Sequence, residues 1–81
     1  MSPEIEAKLT PIFRTAFADP ALVPRRDMAA KDVPKWNSLT HVEMIAAVEK
    51  AFGLRFSLKD MMKMKNVGDM ADIIQAHLDR K

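Results

Sequence analysis

Ser38-Leu39-Thr40-His41-Val42-Glu43-Met44-Ile45-Ala46-Ala47-Val48-Glu49-Lys50-Ala51-Phe52 runs without proline or glycine, and Gly53 then supplies the backbone freedom that ends helices. The segment predicts a helix over Ser38–Phe52. At the helical period, Met44, Ile45, Val48 and Phe52 share one arc and are expected on the core. Leu39, Val42 and Ala46 fall on a second arc about 140° away, flanked by Glu43, Glu49 and Lys50. Scattered surface hydrophobes explain that stripe slightly better than a partner-docking strip, on these residues alone.

Upstream, Ser2-Pro3-Glu4 reads as a helix start: serine caps free N–H groups, proline tolerates the first position and glutamate suits the positive end. Ile5, Leu9, Ile12, Phe13, Ala16 and Phe17 continue one apolar stripe across Pro11, which favours a kink over a break. Residues 19–36 hold Pro20, Pro24 and Pro34 and keep neither period, so they predict a long loop. Leu22, Val23, Met28, Val33 and Trp36 are expected to pin it to the core. Downstream, Ser57 caps a short helix near Leu58–Met64, and Asn66 caps a last one from Val67 to about Leu78. Met70, Ile73, Ile74 and Leu78 of that last helix should face inward together. Met61, Met62 and Met64 can fill core gaps or line an adaptable apolar pocket, and core filling is favoured. His77 is expected to be a surface side chain without a ligand partner.

With 81 residues, 48% hydrophobic and 30% charged, the chain reads as a single globular domain, 1–81, with one core. No apolar run is long enough to span a membrane, and no secretory signal is apparent, so a cytoplasmic location is expected. The absence of cysteine excludes disulfides, thiolate metal sites and a cysteine nucleophile. Neither a metal-ligand cluster nor a Gly-rich phosphate loop appears. The net charge of +2 is spread over both halves, which argues against a nucleic-acid partner. Lys59 to Lys65 is the only locally basic stretch, and a solvated helix face accounts for it.

Trp36-Asn37-Ser38-Leu39 places the Ser38 hydroxyl where the loop becomes a helix, at a positive helix end that would favour a phosphate ester. Competition between Asn37 and Ser38 to cap the helix is the plainer account of the same residues. A hydrolase built on Ser38 and His41 lacks a group to orient the histidine and a wall for an oxyanion site, so no catalytic residue is assigned.

Wider context changes that balance. Lys35-Trp36-Asn37-Ser38-Leu39-Thr40-His41-Val42-Glu43-Met44, then Glu49-Lys50-Ala51-Phe52-Gly53-Leu54-Arg55-Phe56, closely resembles an acyl carrier protein. That family has Asp-Ser-Leu at the start of its second helix, a Glu-x-x-Phe-Gly-like end about fourteen residues on, and an Asn/Thr-Val-x-Asp-like start to its last helix. Asn66-Val67-Gly68-Asp69 occupies the last place here. The resemblance implies an all-α bundle of three longer helices and one short helix, with a long loop between helices 1 and 2. It further implies that Ser38 receives 4′-phosphopantetheine from coenzyme A through a phosphopantetheinyl transferase using magnesium, with Asn37 and Leu39 as its motif neighbours. The group's thiol would hold acyl cargo as thioesters, making the chain a non-catalytic carrier and, as expected here, a monomer. Met44, Ile45, Val48, Phe52 and the methionine cluster would line a yielding interior for that cargo. Leu39, Val42, Glu43, Ala46 and Glu49 would then form the surface met by acyl-ligase, synthase or acyltransferase partners. The pathways implied are fatty-acid-like, polyketide or other specialised acyl metabolism; an unmodified helical interaction module is the alternative.

Three departures stand out. Asn37 replaces the usual aspartate, keeping a capping oxygen but losing a charge that could position magnesium. Lys50, Lys59, Lys63 and Lys65 sit where many members are acidic. The net charge is positive where many members are strongly negative. Partners with basic docking patches would be attracted less, which points to a dedicated carrier in a specialised pathway.

Overall fold

A computed structural model describes residues 2–80, in which four α-helices surround one apolar core. Helix α1 spans Pro3–Ala16, α2 Ser38–Phe52, α3 Leu58–Lys63 and α4 Val67–Asp79. No strand occurs among the described residues. Ser2 caps α1 by accepting the Ile5 N–H at 3.2 Å. Helix α1 continues through Pro11, so the single apolar stripe of Ile5, Leu9, Phe13 and Phe17 is buried along its whole length. Met44, Ile45, Val48 and Phe52 of α2 are all buried, as their shared arc requires. Gly53 ends α2 with φ 64°, a left-handed conformation that costs glycine least. From α4, Val67, Met70, Ala71 and Ile74 complete the core, with Ile73 and Leu78 packed at its margin.

The long loop is bound to the bundle rather than draped over it. Leu22, Met28 and Val33 are buried as expected, but Val23 is 51% exposed and pins nothing. Its neighbours Leu22 and Pro24 point inward instead, and the chain alternates sides there. Residues Ala30–Asp32 form one 3₁₀ turn that the proline-rich reading did not foresee. At the far side, the first two N–H groups of α4 are claimed by the loop: Val67 donates to the Met28 carbonyl and Gly68 to the Arg26 carbonyl, each at 2.9 Å. A helix start leaves such donors unpaired, so the loop acts as their cap. The approach is close enough that a Cβ on Gly68 would lie 3.0 Å from the Arg26 carbonyl oxygen. Arg26 then reaches along α4 to Asp72 with two N–H···O bonds of 3.0 and 2.9 Å, the strong bidentate geometry.

Helix α3 is the thinnest wall. Its methionines correct the core-filling expectation: Met62 is 75% exposed, Met61 is 40% exposed, and only Met64, just beyond the helix, packs on the core. A helix of six residues offers too little inner face for them all. Its hold on the bundle is partly polar. His77 on α4 pairs with Asp60 on α3 at 2.9 Å and sets its ring edge-on to Phe56, so it is half-buried and partnered, contrary to expectation.

Candidate functional site

Ser38 is the first residue of α2, and Asn37 is the N-cap. The competition between them is resolved in favour of Asn37, whose Oδ1 accepts the N–H groups of Leu39 and Thr40, both at 3.0 Å. Thr40 answers by accepting the Asn37 N–H at 2.8 Å and donating its hydroxyl to the Lys35 carbonyl at 2.6 Å. This is a reciprocal capping box with threonine in place of the usual glutamate, and Thr40 is a residue the sequence reading passed over. Its spacing from Asn37 was the available signal.

The consequence for Ser38 is freedom. Among the described residues its hydroxyl has no hydrogen-bond partner, and the residue is exposed. Two of the N–H groups nearest to it are held by Asn37, so the help α2 gives an anion on Ser38 comes from the helix dipole and the Ser38 N–H itself. An exposed, unpaired hydroxyl at a positive helix end fits a covalent phosphate ester.

Behind Ser38 lies a cluster of rings. Trp36 stacks on Phe17 with centroids 4.9 Å apart and meets Phe13 edge-on at 5.7 Å, which fixes the indole against the core. Its Nε1–H donates to Nδ1 of His41 at 3.0 Å. Indole can only donate, so His41 Nδ1 must be an unprotonated acceptor and the ring proton resides on Nε2. His41 is therefore committed to Trp36. It makes no hydrogen bond to Ser38, and no carboxylate orients it among the described residues.

Two hollows meet at this pair. An open groove lined by Trp36, Asn37, Ser38, His41 and Val42 runs along the surface beside the serine. A smaller hollow of about 90 Å³, itself partly open to solvent past exposed Ala30 and Lys65, is walled by Trp36, His41, Met44, Met64, Asn66 and Met70. Three of those walls are thioethers, side chains that can move aside at small cost.

The remaining residues of interest spread along α2. Leu39 and Val42 are 70% and 64% exposed, and Glu43 and Ala46 lie on the same open side. Glu49 differs: it is half-buried, and its Oε2 accepts the Phe56 N–H at 2.8 Å, tying the turn after α2 back to the helix. On α3, the His77 contact and then the Ser57 backbone N–H hold the Asp60 carboxyl below the usual carboxylate range. Among the described residues no group of His, Asp and Glu could hold a metal ion, and no helix is long and apolar enough to cross a membrane.

Residues 36–74 match the family model described as a phosphopantetheine attachment site. The whole chain is similar to the solution structure of a holo acyl carrier protein from Geobacter metallireducens: 40% identity, 98% of this chain and 90% of that one covered, and a TM-score of 0.88. No curated protein matches significantly.

Proposed function

The chain belongs to the acyl carrier protein family, and from that premise we propose that Ser38 is its attachment residue and that it serves a specialised acyl pathway. The observation that carries the assignment is the exposed, unpartnered Ser38 hydroxyl at the first position of α2, inside the matched region 36–74. The 4′-phosphopantetheine borne by such a carrier supplies a terminal thiol for thioester formation.

Attachment forms a bond from the Ser38 oxygen to phosphorus as the diphosphate link of coenzyme A breaks. Adenosine 3′,5′-bisphosphate leaves, and the hydroxyl proton passes to the transferase. Asn37 holds the first turn of α2 in place while leaving the Ser38 oxygen uncovered. Leu39, Val42, Glu43 and Ala46 form the surface on which the transferase and acyl-handling enzymes dock, with Glu49 bracing the far end of the helix. The cations Lys50, Lys59, Lys63 and Lys65 add positive charge to the second half of the chain, a poor match for strongly basic partners, which favours dedicated enzymes over those of general fatty-acid synthesis.

Co-expression with a broad-specificity phosphopantetheinyl transferase tests the assignment by intact mass. The chain should gain roughly 340 Da, and Ser38→Ala should abolish the gain. Peptide mapping that puts the group on Ser2 or Ser57 refutes it; a chain that stays unmodified would be an interaction module instead.

A further inference from the structure

The first turn of α2 has few donors left for an anion attached at Ser38. Asn37 Oδ1 accepts the Leu39 and Thr40 N–H groups, and the Asn37 carbonyl accepts that of His41 at 2.8 Å. The groove beside Ser38 is lined by no carboxylate, and His41 brings an imidazole to it. We propose that His41 is a positioning residue for the prosthetic group: its Nε2–H donates to the phosphodiester joined to Ser38, and Trp36 fixes the ring in the form that can do so. The inference rests on the assignment of Ser38 as the attachment residue and names the side chain that holds the root of the arm.

Three observations support it. The 3.0 Å bond from the indole N–H to Nδ1 fixes neutral His41 in the tautomer that carries its proton on Nε2. The two ring planes differ by only 18° with centroids 6.1 Å apart, and the bond joins them edge to edge, so Nε2 lies on the half of the imidazole turned away from Trp36. Nε2 has no hydrogen-bond partner among the described residues, and because no buried side-chain nitrogen there lacks one, it reaches solvent. Ser38 and His41 stand three residues apart on one face of α2, a spacing that puts Cβ atoms roughly 5–6 Å apart. Helical side chains lean toward the N-terminus, so His41 leans over the turn that begins with Ser38, and both line one groove with Asn37 and Val42. Donation to a charged oxygen is the stronger kind of hydrogen bond, and it polarises the imidazole so that Nδ1 accepts the indole N–H more strongly. Trp36 and His41 thus act in series without either changing its protonation.

The experiment follows the chain by NMR before and after conversion with a transferase and coenzyme A, the product being confirmed by intact mass. The chain has two histidines, so isotope-labelled histidine gives two side chains to compare, His41 and His77. After conversion the His41 Nε2–H should exchange with water more slowly by about tenfold or more, the scale of a hydrogen bond to a charged group. His77, whose Nε2 is already paired with Asp60, should not change. The indole N–H of Trp36, the single tryptophan, should move downfield in the same step. The phosphorus resonance of the converted chain should shift in His41→Leu and return in His41→Gln, which restores a side-chain donor. Equal His41 exchange before and after conversion, or a slowing shared equally by His77, overturns the role of His41 alone, and so does a phosphorus resonance unmoved in folded His41→Leu. If His41→Leu does not fold, the exchange comparison on the unaltered chain decides by itself. A chain that gains no mass overturns the attachment residue, and the role of His41 with it.

Discussion

Asn37 and Ser38 divide a task between them, because the cap satisfies the helix and so leaves the nucleophile bare. Asn37→Ala should cost about 1 kcal/mol, since it strands two N–H groups that Asn37 Oδ1 now accepts. Asn37→Asp keeps that acceptor and adds a negative charge at a positive helix end, so its melting temperature should move little. Its rate of phosphopantetheine transfer at limiting magnesium should rise. Transfer kinetics of the two variants, set beside their thermal melts, separate the cap from the charge; equal rates for Asn37→Asp and the unaltered chain would show that the charge is dispensable. The cap was legible only in part: capping is local, written in residues at most three apart, but the residues left Asn37 and Ser38 competing for it and passed over Thr40, and Ser38 stood out from a second capping candidate only through the resemblance. The Trp36–His41 bond is also short in sequence, yet no residue pattern announces it. It depends on Phe17 and Phe13 arriving from α1 to hold the indole in place.

Among the elements, α3 is the one whose attachment is most sensitive to conditions. Its bond to α4 runs through Asp60 and His77, and Asp60 also accepts the Ser57 N–H that opens the helix. The Asp60 carboxyl is held below its ordinary value of 3.8, mainly by His77. A carboxylate lowered in this way contributes stability that is fully present above its unfolded value and is lost as pH falls through the folded one. Asp60→Asn should therefore lower the melting temperature at neutral pH, and the difference from the unaltered chain should shrink below about pH 3.8. Melts from pH 7 down to about pH 2.5 check this; a difference that stays constant would mean that the carboxylate's charge adds nothing. Periodicity found α1, α2 and α4 because each repeats its apolar residues for three turns or more. It failed for Met61 and Met62, because so short a helix gives no period long enough to separate inner from outer faces. His77 was misread for a related reason: its partner lies 17 residues away on another helix.

Across the whole molecule, the two arcs of α2 serve opposite directions, one packed on α1 and the other open to solvent. Val42→Asp on the open arc should leave the melting temperature nearly unchanged while slowing transferase or acyl-ligase turnover. Phe52→Ala on the buried arc should cost about 3–5 kcal/mol, because the side chain is almost wholly enclosed. Melting and kinetics on the same pair decide the matter: a Val42→Asp protein that unfolds early would place Val42 in the core, and one with normal turnover would deny the strip its role. The loop of residues 19–36 ties these scales together, since it supplies both Trp36 beside the serine and the carbonyls that cap α4. Backbone amide exchange offers a view of that bond from the far side of the protein. The Val67 and Gly68 amides can exchange with deuterated water only when the Met28 and Arg26 carbonyls let go. Their exchange rates thus time the loop's departures from the bundle. Gly68→Ala, by crowding Arg26, should quicken exchange at Val67 while the amides in the middle of α1 keep their protection.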